Sequence, residues 1–186
     1  MNLSKRCPES FSVTVNSFIL FGYHCSTNNT CIVKQLCCYN LCLCHMTYTV
    51  FDDLIDYNSA LTIRELSDLF FLKHSEEEIK ASRSFVADAP YTLKALGMSR
   101  RFGDLRIANF VSILNEETTE QFCALQIDLE NGLRFVSFRG TDDTIIGWKQ
   151  DFKSNYEITR AQKSALNYVN KNLLRGRKYI FAGHSK

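Results

Sequence analysis

Two short stretches decide the fold of this 186-residue chain: Leu133–Thr141, which reads LRFVSFRGT, and Lys178–Lys186, which reads KYIFAGHSK. Each begins with an apolar and aromatic run of strand length and continues into a glycine-containing turn. These runs predict two strands, Leu133–Phe138 and Lys178–Ala182. The first is apolar on both faces except at Arg134 and Ser137, and it should therefore lie in the middle of a sheet.

An amphipathic helix is predicted between these strands. Over residues 160–174 the apolar side chains recur at helical spacing, and Arg175-Gly176-Arg177 ends the pattern. The side chains expected to face inward are Ala165, Leu166, Val169, Leu173 and Leu174. Strand, helix and strand form a βαβ crossover, so the two strands should be parallel, although not necessarily adjacent.

Upstream of the crossover, from Asp104 onward, the apolar period is two. The predicted inward positions are Ile107, Val111 and Ile113 in a first run, then Cys123, Leu125, Ile127 and Leu129 in a second. Glu130-Asn131-Gly132 predicts a hairpin turn, because Asn-Gly accepts the positive φ of a tight reversal. An antiparallel meander should therefore lead into the middle of the sheet.

The residues before the meander predict helices with clear start signals. Thr62-Ile63-Arg64-Glu65 and Ser75-Glu76-Glu77-Glu78 are capping boxes, and the second places three acids where the helix dipole stabilises them. Pro90 suits the first turn of a shorter helix that ends at Leu96, before Gly97. The first helix should bury Leu66, Leu69, Phe70 and Phe71. The fold class expected is α/β.

Charge and composition exclude several classes of function. Residues 1–45 carry three basic residues and one acid, and residues 46–186 carry nineteen of each sign. This balance gives no electrostatic basis for binding nucleic acid or an anionic membrane. No apolar run reaches the length of a transmembrane helix, so stable membrane insertion is not expected. The sequence also predicts no cofactor and no metal.

The cysteines divide the chain into two parts. Seven of the eight lie in the first 44 residues, and only Cys123 lies beyond them. A domain without spread cysteines is typical of a reducing compartment, so a cytoplasmic location is expected. We predict a cysteine-rich, poorly ordered leader over residues 1–40 and one domain over 41–186. A zinc module around Cys42-x-Cys44-His45 is the weaker alternative, because paired knuckle spacing is lacking.

Gly183-His184-Ser185-Lys186 begins the G-x-S-x-G pattern of a nucleophile elbow. That motif places Ser on a sharp turn after a strand, where its neighbours must be small. Phe138-Arg139-Gly140-Thr141 ends the other strand, and the carboxyl ends of parallel strands are where α/β sheets place their sites. A hydroxyl or amide there can face the elbow and stabilise an oxyanion.

Taken together with Trp148-Lys149-Gln150-Asp151, these motifs resemble the class 3 lipase branch of the α/β-hydrolases, and most closely a bacterial and phage "Mbeg-like" group of hydrolases without a defined substrate. The resemblance extends upstream through Asp53–Phe71 and Arg101–Asp104, and so covers residues from about 41 to 186. It implies an incomplete α/β-hydrolase sheet that ends at the elbow.

The resemblance implies a role for each matching residue. Ser185 is the nucleophile, and Thr141 and the backbone N–H of Lys186 donate to the oxyanion. Gly183 belongs to the elbow. Structural support for the oxyanion loop comes from Gly140, Trp148 and Asp151. The implied substrate is a small-molecule ester or a lipid, cleaved through an acyl-enzyme.

The acid and the His of a catalytic triad decide whether the chain is active. In this fold they follow the Ser in chain order, and nothing follows Lys186. His24 and His45 belong to or border the leader, and His74 should lie at the surface between two helices. We therefore expect an inactive N-terminal fragment of a serine hydrolase. The alternative is a non-catalytic interaction protein that retains the scaffold.

Overall fold

The computed structural model describes residues 14–15, 39–82, 84, 86–140 and 158–183. Its centre is a mixed sheet with the strand order β1-β6-β5-β4-β3-β2. The strands are β1 Thr14–Val15, β2 Leu61–Thr62, β3 Arg106–Asn115, β4 Glu120–Asp128, β5 Leu133–Phe138 and β6 Lys178–Gly183. Strands β2 to β5 pair antiparallel, and β6 pairs parallel with both β5 and β1.

The predicted crossover is confirmed. The helix Arg160–Asn172 joins β5 to β6, and the two strands are parallel neighbours. The predicted hairpin is confirmed as well, since a 3-10 turn over Glu130–Gly132 joins β4 to β5 and Gly132 has a φ of 71°. Helices and a mixed sheet together make the chain an α/β protein.

Within the described residues the sheet is accompanied by five helices: α1 at residues 39–45, α2 Ile63–Lys73, α3 Glu76–Ala81, α4 Ala89–Met98 and α5 Arg160–Asn172. Both predicted capping boxes are present, with Thr62 accepting from the Glu65 N–H and Ser75 from the Glu78 N–H. Helix α5 begins with a third, formed by Thr159 and Gln162. The buried face of α2 differs in part from the prediction, because Leu69 is exposed and Ser67 is buried.

The sequence predicted that Gly97 ends its helix, and this prediction is wrong. Helix α4 continues to Met98, and Gly97 lies inside it. A Cβ at Gly97 would lie 2.8 Å from the Cβ of Ser67 on α2. Gly97 is therefore needed for the close approach of two packed helices and does not act as a stop signal.

The prediction that Ile107, Val111 and Ile113 share one face of the sheet is wrong. The register with β4 shifts between Ala108 and Val111, and Asn109 takes a φ of 54°, so β3 contains a bulge. An extra residue reverses the faces on one side of it. Ile107 consequently packs on one face of the sheet, whereas Val111 and Ile113 pack on the other.

The buried side of α5 differs from the prediction in part. Leu166 and Leu174 are more than half exposed. Ala165 and Leu173 pack against the cluster beneath the helix as predicted, together with Ala161 and Tyr168, and Asn172 is buried as well. Two small alanines let the helix approach β4 closely, and the Tyr168 hydroxyl donates to the backbone oxygen of Asn109 at 2.8 Å. Polar contacts and small residues therefore decide this orientation.

Two apolar clusters lie on opposite faces of the sheet. The first contains α1 to α4 and includes Phe51, Leu66, Leu125 and Phe135. The second lies under α5 and includes Phe122 and Val136. No helix in the described ranges is long and apolar enough to cross a membrane.

Candidate functional site

The site predicted from sequence lies where β5 and β6 end. The two strands are in register, with Phe138 opposite Gly183, so their carboxyl ends lie side by side. Pairing continues one residue beyond β5, since the N–H of Arg139 donates to the Cys123 oxygen at 2.9 Å. The two segments that carry the predicted site therefore start from the same edge of the sheet.

Gly183 lies against the backbone of the neighbouring strand. A Cβ at this position would lie 3.3 Å from the carbonyl oxygen of Phe138, which is tighter than an ordinary contact. A larger residue would have to push the two strands apart at their ends. The glycine is therefore explained by the close backbone approach at this edge.

Of the seven predicted site residues, the structure describes two. Gly140 is buried two residues after the end of β5, and Gly183 ends β6. The other five lie outside the described residues: Thr141, Trp148, Asp151, Ser185 and Lys186. Their roles stay predictions.

A pocket of about 400 Å³ opens beside this edge of the sheet. Arg139 lines it from the end of β5, and the remaining wall comes from α2, α3, the residues after α3 and residues 48–50. Its apolar lining consists of Tyr48, Val50, Phe70, Ile79, Val86, Ala87 and Pro90, and its polar lining of Thr49, His74, Glu78, Ser82, Ser84 and Arg139. This pocket, the Arg139 pocket, was not predicted from the sequence.

A short hydrogen-bonded connection places residues 48–50 against β5. Thr47 donates its hydroxyl to the Cys44 oxygen at 2.6 Å, and the Ser137 hydroxyl lies 3.5 Å from that of Thr47. Burial raises the pKa of the neighbouring Cys44 thiol to about 11, although a hydrogen bond with Ser137 acts in the opposite direction. Thr49 follows Thr47 by two residues, and Arg139 follows Ser137 by two. The contact between Thr47 and Ser137 therefore brings Thr49 and Arg139 into the wall of the pocket.

The polar lining of the Arg139 pocket contains buried atoms without hydrogen-bond partners. Arg139 is only 8 % exposed and Thr49 only 2 %. Within the described part of the chain, neither Arg139 Nε nor Thr49 Oγ1 has a hydrogen-bond partner. Buried polar groups are nearly always satisfied, so unpaired atoms at a cavity wall indicate a place for a ligand or water.

His74 lies between α2 and α3, as predicted, but it is only partly exposed, because it caps the end of α2 and lines the pocket. Its ring lies 4.5 Å from that of Phe70, and its side chain is 31 % exposed. Asp53 Oδ2 lies 3.6 Å from His74 Nε2, which is too long for a hydrogen bond.

Asp53 is held instead by Lys73, whose Nζ lies 2.6 Å from its carboxylate. The pKa of Asp53 lies below its ordinary value, chiefly because of this hydrogen bond. Asp53 and His74 therefore do not form an acid–base pair of the kind a triad needs.

The weaker zinc hypothesis placed Cys44 and His45 in one site, and their side chains have different surroundings. Cys44 is buried in the larger apolar cluster. His45 Nδ1 lies 2.9 Å from the Thr92 hydroxyl, and His45 Nε2 lies 3.4 Å from Asp88. Over the residues whose placement is described, no His, Cys, Asp and Glu side chains gather as metal ligands.

Comparison with known proteins gives one match. A family model described as Mbeg1-like matches residues 96–186, just under half of the chain. That region is similar to this family and extends from the end of α4 to the predicted elbow. The family description names no reaction and no substrate. No curated protein and no solved structure matches the chain.

Proposed function

We propose that this chain carries the nucleophile and the oxyanion donors of a serine hydrolase with an α/β-hydrolase fold related to the class 3 lipases. Ser185 is the nucleophile, and Thr141 with the Lys186 backbone N–H stabilises the oxyanion. The substrate is an ester or a lipid-like acyl compound. The observation that carries the proposal is the parallel pairing of β5 and β6, with Phe138 opposite Gly183.

This pairing supports the proposal because the two motifs need a common edge. Thr141 follows Phe138 by three residues, and Ser185 follows Gly183 by two. Sites of α/β sheets lie at the carboxyl ends of parallel strands, and an elbow requires a strand directly before the Ser. An oxyanion donor within reach of the nucleophile is worth about 3–4 kcal/mol of the reaction barrier.

The chemistry consists of two acyl transfers. The Ser185 oxygen attacks the ester carbonyl carbon and loses its proton to a base, and the alcohol leaves with that proton. Water then attacks the acyl-enzyme and releases the acid. Among the described residues, neither Asp53 nor His45 belongs to a pair that would supply this base, since Asp53 binds Lys73 and His45 bonds to Thr92.

A fluorophosphonate probe tests the proposal directly. We expect the chain to react slowly at Ser185, and added imidazole to accelerate the reaction because it supplies a base from solution. Peptide mass spectrometry locates the label. Ser185→Ala should abolish labelling, and Ser164→Ala on α5 is the matched control that should leave it unchanged. A chain that stays unlabelled at Ser185 even with imidazole would contradict the proposal and favour a non-catalytic scaffold.

A further inference from the structure

We propose that the Arg139 pocket binds a carboxylate group attached to a hydrocarbon chain. Arg139 pairs with the carboxylate, and the apolar wall covers the chain. That this ligand is the acid portion of the ester substrate rests on the proposed hydrolase function. The binding itself requires no catalysis and can be measured separately.

The first support for this proposal is the charge of Arg139. Its side chain is more than nine-tenths buried, and no carboxylate within the described residues forms an ion pair with it. A buried cation without a counter-charge is costly, and the guanidinium fork matches a carboxylate in geometry. An anionic group that enters the pocket would remove this cost.

A second polar group is available on the same wall. Thr49 is buried, and its hydroxyl has no hydrogen-bond partner within the described ranges. A hydroxyl can donate to a carboxylate oxygen. Arg139 and Thr49 thus provide donors from two different segments of the chain.

The remaining lining favours a hydrocarbon chain over a free inorganic anion. Seven of the thirteen lining residues are apolar or aromatic, including Phe70 and Ile79. Glu78 also lines the pocket, but its carboxylate accepts a hydrogen bond from the Ser75 N–H at the start of α3. Among the described residues, the pocket therefore combines the unpaired Arg139 with a largely apolar wall, which is typical of ligand sites.

The position of the pocket connects it to the proposed reaction. Arg139 immediately precedes Gly140 and follows β5, at the edge shared with the end of β6. A product acid with its carboxylate near Arg139 would therefore lie beside the edge of the sheet from which the predicted elbow starts.

Calorimetric titration of the full chain with octanoate and with octanamide tests the inference. The two probes have chains of the same length and differ in charge. We expect octanoate to bind at least about tenfold more tightly, because a hydrogen bond to a charged partner is worth that much. Equal affinities would overturn the proposal. Tight binding of inorganic phosphate would also overturn it, since the site would then bind anions without regard to the chain.

Variants identify the residues responsible. Arg139→Gln should abolish the preference for octanoate, Arg139→Lys should retain part of it, and Thr49→Val should weaken octanoate binding about threefold. The matched control is Arg175→Gln, which removes an exposed arginine outside the pocket. A preference that survives Arg139→Gln would contradict the assignment. If Arg139→Gln does not fold, the lysine and valine variants decide.

The same titration on Ser185→Ala separates the two proposals. We expect its preference for octanoate to equal that of the native chain. If the preference is present but the fluorophosphonate does not label Ser185, the hydrolase proposal fails and the carboxylate site remains. If Ser185 is labelled but the two probes bind equally, only the present inference fails.

Discussion

On one face of the sheet, α1 to α4 bury eighteen hydrophobic residues in one cluster, whereas the opposite face has α5 and a cluster of six within the described residues. The larger cluster includes residues from every helix of that layer. The smaller one depends on Tyr168, whose hydroxyl bonds to the bulge in β3. Apolar packing therefore stabilises the first face of the sheet, while specific polar contacts orient the helix on the second face.

The largest expected effect compares two buried phenylalanines. Phe135→Ala, in the larger cluster, should reduce the free energy of unfolding by about 3–5 kcal/mol, because the packed helices cannot collapse into the cavity. Phe122→Ala, beneath α5, should cost at least about 1 kcal/mol less, because α5 can move inward and fill part of the space. Urea denaturation measures both. Equal losses would show that the two faces are equally rigid.

A smaller effect is expected where α2 and α4 touch. Gly97→Ala should destabilise the protein by about 1–3 kcal/mol, because the new methyl group meets the Cβ of Ser67. In a Ser67→Gly background the same change should be neutral or stabilising. In a Ser67→Ala background, which keeps the Cβ, the loss should persist. Thermal unfolding of the variants measures this coupling, and its absence would show that this helix layer is loosely packed.

On the α5 face, the corresponding test removes a single hydroxyl group. Tyr168→Phe removes the donor to the Asn109 oxygen and should cost about 1 kcal/mol. Tyr91→Phe, on α4, is the matched control, because within the described ranges that hydroxyl is buried without a hydrogen-bond partner. Its removal should cost nothing or stabilise slightly. Denaturation curves that show equal changes would contradict a polar contribution specific to α5.

The smallest effect concerns the exposed pair of Lys73 and Asp53. The folded-state pKa of Asp53 is depressed below 3.8, so the pair stabilises the fold above that pH and ceases to do so as pH falls through the folded value. Both side chains are 40 % or more exposed, so Asp53→Asn should cost only about a few tenths of a kcal/mol at pH 7. The difference from the native chain should shrink progressively as pH falls below 3.8. A difference that grows on acidification would have the wrong sign.

Local signals in the sequence predicted the elements well. The capping boxes at Thr62 and Ser75 and the turn at Gly132 each depend on a few consecutive residues, so they could be read directly from the chain. The parallel relation of β5 and β6 followed from the helix between them. Their adjacency did not follow, because a crossover alone does not fix which strands are neighbours.

Features that depend on tertiary packing were missed. Helix α5 has two faces that could be buried. Hydrophobicity favoured the face with Leu166, whereas the face with Ala161 and Tyr168 packs on the sheet. The bulge was missed because Ile107, Val111 and Ile113 fit plain alternation. Two signals spoke against it: Phe110 breaks the alternation, and Asn109 is a residue type that accepts a positive φ. The Arg139 pocket combines segments distant in sequence. Arg139 was recognised only as one residue of a motif. An arginine directly after a central strand is itself a signal, because α/β sheets place their sites at the carboxyl ends of strands.

The bulge at Asn109 decides where β3 can lose a residue. Ala108 lies opposite Gln126 and Val111 opposite Ala124, so Asn109 is an extra residue in this part of the strand. Deleting Asn109 would remove the bulge and leave Phe110 and Val111 on their present faces of the sheet. Deleting Ser112 instead would move Ile113 to the opposite face, so that deletion should cost far more stability.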